Sequence, residues 1–122
     1  MNRKVLIADD EPNILLSLDF LLRKNGFDVL IARNGSEAVQ LLNEYVPDVA
    51  LLDIMMPDVD GYEICRLIKN TPKLNNCKVM FVSAKTKDTD IQKGYDAGAD
   101  AYVKKPFSTR QIIIEIEKLL NR

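Results

Sequence analysis

The chain has 122 residues, 47% of them hydrophobic, and carries 17 Lys and Arg against 18 Asp and Glu for a net charge of −1. That length and apolar content suit one domain, residues 1–122, with a core of its own, and the balanced charge offers no field to hold nucleic acid or a membrane surface. No histidine is present, which excludes His-based catalysis and His-ligated zinc, and no apolar run is long enough to span a membrane or open a signal peptide. A cytoplasmic protein is expected, with Cys65 and Cys77, which lack metal-ligand spacing, as reduced thiols.

The first apolar run, Lys4–Ala8, ends in Asp9-Asp10-Glu11, and Pro12 then opens a helix to about Asn25, closed by Gly26. Ile14, Leu15, Leu18, Leu21 and Leu22 share one broad face. Leu16 and Phe20 fall opposite, one turn apart, as an apolar pair on a wet face that suits a partner. A strand over Phe27–Ala32 follows, and a helix after Asn34-Gly35-Ser36 buries Ala38, Leu41 and Leu42.

The run Asp48–Leu52 ends on Asp53 and breaks into a turn with Pro57 and Gly61. A run this apolar reads as a strand buried on both faces, the signature of a parallel sheet. In open α/β sheets ligands bind beyond the carboxyl ends of the strands, so Asp53 stands at the mouth of a site. A parallel neighbour brings Asp9 and Asp10 to the same edge, where the carboxylates repel unless a cation joins them. Oxygen donors suit a hard ion, magnesium first, with manganese able to substitute.

The third helix begins near Gly61 and buries Ile64 and Ile68. Strand Lys78–Val82 leads to Ser83, and the helix after it, Lys87 to Ala97, is weak: beyond Ala97 its apolar side chains are Ile91 and Tyr95, and Gly94 interrupts it. It is expected to be the least stable helix and the one that shifts when something binds. Strand Asp100–Lys104 delivers Lys105, followed by Pro106, whose peptide bond stays open between cis and trans. The last helix, Ser108 to about Asn121, packs Ile112, Ile113, Ile116, Leu119 and Leu120 and leaves Ile114 outside as a second candidate contact. Five strands alternating with five helices predict an α/β, doubly wound parallel sheet. A hydroxyl from Ser83 and an ammonium from Lys105, with a metal at the carboxylates, are what an incoming phosphoryl group needs.

The motifs Asp9-Asp10, Asp53-Ile54-Met55-Met56-Pro57 with Gly61, Ser83-Ala84, Gly98-Ala99-Asp100 and Lys105-Pro106-Phe107 occur in order over the whole chain. In them the chain resembles the receiver domain of two-component response regulators. The resemblance implies a CheY-like (flavodoxin-like) strand order of 2-1-3-4-5. It also implies that Asp53 accepts a phosphoryl group, that Asp10, Asp53 and the carbonyl of Met55 bind magnesium with Asp9 helping through water, and that Lys105 pairs with the phosphoryl oxygens. Ser83 would turn inward to the phosphoryl group, and Tyr102 would follow it to a buried rotamer. Such a switch catalyses only its own phosphorylation and slow autodephosphorylation.

Its partner would be a sensor histidine kinase or histidine phosphotransfer protein, met by Leu16, Phe20, Pro106 and Phe107. No direct nucleic-acid contact is expected of the domain, and a phosphorylation-dependent homodimer or a fused output domain stays open. Ile91, Ala101 and Glu115 depart from the salt-bridge set of the largest DNA-binding subclass, which speaks against that form of dimer. A haloacid-dehalogenase-type phosphatase would resemble this chain but needs a second aspartate where Met55 stands. A flavodoxin-like cofactor module would meet repulsion from Asp9-Asp10-Glu11 at its phosphate loop. A receiver-shaped domain that is never phosphorylated is disfavoured because no acidic-site residue is missing.

Overall fold

The computed structural model describes residues 2–121. Its elements are β1 (Lys4–Ala8), α1 (Pro12–Lys24), β2 (Asp28–Ala32), α2 (Gly35–Glu44), β3 (Val49–Leu52), α3 (Gly61–Asn70), a 3-10 turn (Pro72–Leu74), β4 (Lys78–Ser83), α4 (Asp88–Asp96), β5 (Ala101–Lys104) and α5 (Thr109–Leu120). The strands form one parallel sheet in the order β2-β1-β3-β4-β5. Alternate residues of each strand feed two cores. Leu6, Leu52 and Phe81 face α2 and α3, while Val5, Ile7, Leu51 and Met80 face α1 and α5. β1 and β3 are sealed on both sides, each such side chain contributing roughly 1.5–3 kcal/mol of hydrophobic stabilisation. Among the described residues, no helix is long and apolar enough to cross a membrane.

Where element ends differ from the pattern of the sequence, a local hydrogen bond is responsible. Phe27 lies outside β2 because its N–H closes the end of α1 on the Leu22 carbonyl, past Gly26 at φ 87°. Asp100 lies outside β5, its carboxylate taking the Val79 N–H at 2.9 Å and the Lys69 ammonium at 2.8 Å. α2 starts at Gly35, earlier than expected, because Asn34 caps it by accepting the Glu37 N–H. Lys87 and Ala97 are the caps of α4 rather than members of it. Gly94 does not interrupt α4. It is the residue that lets the helix approach the sheet, since a Cβ there would stand 3.1 Å from the Phe81 ring and 3.2 Å from that of Tyr102.

Candidate functional site

The ladders of the sheet carry on one residue past the strand ends and so align the site. Asp9 N–H donates to Ala32 O, Asp53 N–H to Ala8 O, and Lys105 N–H to Ser83 O. Asp9, Asp53, Ser83 and Lys105 therefore follow β1, end β4 or follow β3 and β5 along one edge. The loop after Asp53 is pinned at both ends. Gly61 N–H donates to Ile54 O, and a Cβ on Gly61 would lie 2.3 Å from the Asp53 carbonyl oxygen, so only glycine fits that approach. At the far side of the loop, the Asp58 carboxylate accepts the N–H groups of Gly35 and Ser36, both at 2.9 Å, at the start of α2.

One carboxylate oxygen each from Asp9, Asp10 and Asp53 lies within 4.8 Å of the others. Asp9 and Asp53 are buried and Asp10 is exposed. The buried ammonium of Lys105 stands 2.8 Å from Asp9 Oδ2, 3.2 Å from Glu11 Oε1 and 3.6 Å from Asp53 Oδ2. Asp53 Oδ1 takes the Ile54 N–H at 2.8 Å, and Asp9 Oδ1 takes that of Glu11 at 2.9 Å.

Burial raises the Asp53 carboxyl above its ordinary value, and the charge of Asp9 adds to this, against the pull of Lys105, the Ile54 N–H and the Ser83 hydroxyl. Burial likewise raises Asp9, against Lys105 and the Glu11 N–H. For Lys105, burial works against the charged form, but the hydrogen bond to Asp9 and the charge of Asp53 outweigh it and hold the ammonium above its usual value. The geometry therefore leaves two buried anions sharing one cation, an arrangement that a second, oxygen-seeking cation relieves. The donor set of carboxylates suits magnesium.

An open cavity of about 680 Å³ covers this edge and is lined by Asp10, Asp53, Met55, Ser83, Lys85 and Lys105 among others. Met55 is 60% exposed, so its side chain stands free at the mouth. Ser83 is 1% exposed, with its Oγ accepting the Lys85 N–H at 3.2 Å. Tyr102 is half-buried, its hydroxyl donating to the Lys85 carbonyl at 2.6 Å. Burial, then the neighbouring Tyr62, pushes its phenol up to about 12. The Lys105–Pro106 peptide is cis.

The expected contact residues differ in exposure. Leu16 and Phe20 are 71% and 70% exposed on α1. Pro106 is exposed, but Phe107 is half-buried and packs against the core with α1 and α5, so it offers only part of its ring. Ile114 is exposed on α5. The sequence pattern missed three participants. Glu11 reaches Lys105 although only its neighbours were expected to matter; Asp58 ties the loop after Asp53 to α2; and Tyr62 lines the cavity from α3. The Asp9-Asp10-Glu11 run was the available signal for the first, whereas the other two depend on contacts between elements far apart in sequence.

The sequence model of one family, the response regulator receiver domain, matches residues 5–117. Among solved structures, the chain is similar to the BeF3-activated DrrB receiver domain, with 34% identity over 100% of both chains and a TM-score of 0.90. It is similar to a CheY-like response regulator receiver domain protein from Methanospirillum hungatei JF-1, with 28% identity, 99% of this chain and 95% of that one covered, and a TM-score of 0.93. It is also similar to the signal receiver domain of a signal transduction histidine kinase from Syntrophus aciditrophicus, with 30% identity, 98% and 90% covered, and a TM-score of 0.90.

Proposed function

We propose, from the premise that this chain belongs to the response regulator receiver family of two-component signalling, that it is a phosphoacceptor switch whose acceptor is Asp53. A carboxylate oxygen of Asp53 attacks the phosphorus of a phosphohistidine; the P–O bond to Asp53 forms as the P–N bond breaks, and the imidazole leaves with a proton. The observation that carries this reading is the convergence of Asp9, Asp10 and Asp53 with Lys105 and Ser83 at one sheet edge. Lys105, already 3.6 Å from Asp53, exchanges its carboxylate partners for phosphoryl oxygens, and the Ser83 hydroxyl donates to another of them. Asp10, Asp53 and the Met55 carbonyl would hold magnesium, with Asp9 assisting through water, and manganese could replace it. When bound, the ion supplies positive charge that offsets the charge on the transferred group.

The chain turns over no separate substrate; it catalyses its own phosphorylation and slow loss of phosphate. No histidine exists within it to carry the group, so the donor is a sensor histidine kinase, a phosphotransfer protein or a small phosphodonor. Leu16, Phe20, Pro106 and the exposed part of Phe107 form the docking face, and α4 with Ile114 on α5 belongs to the output side, toward a fused domain or a second copy. The setting is the cytoplasm. Incubation with magnesium and acetyl phosphate should add one phosphoryl mass to the chain and none to Asp53→Asn. A gain by Asp53→Asn overturns the assignment, and steady hydrolysis of free phosphate esters would favour a phosphatase instead.

A further inference from the structure

α4 buries only Gly94 among its own residues, so what fixes it must come largely from its neighbours. Tyr62, the second residue of α3, meets α4 in two ways. Its hydroxyl donates to the Asp90 carbonyl at 3.0 Å, and the Lys93 ammonium lies 4.9 Å from its ring centroid. The same ring meets Phe81 edge to face, with centroids 5.6 Å apart, and Phe81 lies 5.8 Å from Tyr102. Three rings thus run in a row beneath α4, which crosses them at the bare Cα of Gly94.

The hydroxyls at the two ends of the row do matching work. Tyr102 holds the Lys85 carbonyl ahead of α4, and Tyr62 holds the Asp90 carbonyl in its first turn. A carbonyl has two lone pairs, so the Tyr62 bond adds to the hydrogen bond that Asp90 makes within the helix and does not compete with it. Tyr62 also follows Gly61, which donates its N–H to the Ile54 carbonyl and where any Cβ would collide with the Asp53 carbonyl. The backbone of Asp53 is therefore joined to α4 through Gly61 and Tyr62, by a route that includes neither Ser83 nor Tyr102.

We propose that Tyr62 is a positioning residue for α4, and that by holding the first turn of the helix against the acceptor loop it sets how strongly occupation of Asp53 is felt by α4. The second half of the proposal rests on the phosphoacceptor reading above. The test is hydrogen exchange on the full chain, with and without magnesium and beryllofluoride, for the parent, Tyr62→Phe, Lys93→Met and Lys93→Arg. Without ligand, Tyr62→Phe should exchange about fivefold faster over Asp88–Asp96, the loss expected of one hydroxyl hydrogen bond, with β1 and α5 unchanged. Lys93→Met should reproduce part of this, and Lys93→Arg, which keeps a cation over the ring, should restore the parent rate. The beryllofluoride concentration that half-protects α4 should also shift in Tyr62→Phe by a similar factor.

Exchange in Tyr62→Phe that equals the parent, or that rises equally in every element as for a general loss of stability, overturns the proposal. So does a loosened α4 with an unshifted beryllofluoride midpoint. A parent that ignores beryllofluoride sinks the phosphoacceptor reading and the second half with it, whereas a responsive parent matched by an equally responsive variant sinks the role of Tyr62 alone.

Discussion

The Lys105 ammonium lies 2.8 Å from Asp9 Oδ2, closer than it lies to the proposed acceptor, and both side chains are nearly sealed from water. Removing one partner of a buried pair leaves the other charged and unsolvated. Lys105→Met should therefore lose roughly 3 kcal/mol of stability in chelator, and adding Asp9→Asn should recover part of it. Urea unfolding of the single and double variants checks both. A Lys105→Met chain as stable as the parent would mean that Asp9 finds its compensation elsewhere.

Magnesium should stabilise the fold by mass action, about 2.7 kcal/mol at a hundredfold excess over its Kd. Burial, and then the charge of Asp9, raises the Asp53 carboxyl, and Asp10 brings a third carboxylate oxygen within 4.8 Å of both, so Asp53→Asn or Asp10→Asn should gain stability in chelator while responding less to the ion. Melting curves with and without magnesium decide this; curves that ignore it would refute a shared site.

Phe20→Asp should slow transfer from a phosphohistidine donor protein without altering labelling by acetyl phosphate, because Phe20 is exposed on α1 and does not line the cavity. Equal losses with both donors would mean that this face does not dock.

Met55 and Lys85 line the cavity at Asp53, and neither offers a useful acceptor to a water attacking the phosphorus. The phosphorylated state should accordingly be long-lived, and Met55→Asn with Lys85→Glu should hasten its decay in magnesium after the donor is removed. A double variant that decays no faster would show that water orientation does not limit the lifetime.

The Ser36 hydroxyl, then the N–H groups of Ser36, Val59 and Gly35, hold the Asp58 carboxyl well below its ordinary 3.8. A carboxyl lowered in the folded state contributes stability above the unfolded value and loses it as pH falls through the folded one. Asp58→Ala should thus melt lower than the parent at neutral pH, and the gap should narrow only in strong acid. A gap that already closes near pH 5 would mean the cap does not act through charge.

The strands were legible because their apolar runs are uninterrupted and end in chemistry: Ala8 before Asp9, Leu52 before Asp53, and Val82 before Ser83. The strand order was not in the runs themselves; it came with the family resemblance and agrees with the sheet. What stayed hidden were meetings between distant residues. Asp58 and Gly35 are 23 positions apart, and Tyr62 and Asp90 are 28 apart, so no periodicity connects them. Gly94 was misread for a related reason, since a glycine in a helix signals weakness until the rings it must clear are known.

Burial pushes the Cys65 thiol up to about 11 and that of Cys77 up to about 12. At neutral pH both thiols stay protonated as well as buried, so alkylating reagents meet almost no thiolate. The native chain is in that sense silent toward thiol reagents. A cysteine introduced at exposed Gln92 on α4 would be its one fast-reacting thiol, so a fluorophore could be placed on that helix without first removing either natural cysteine.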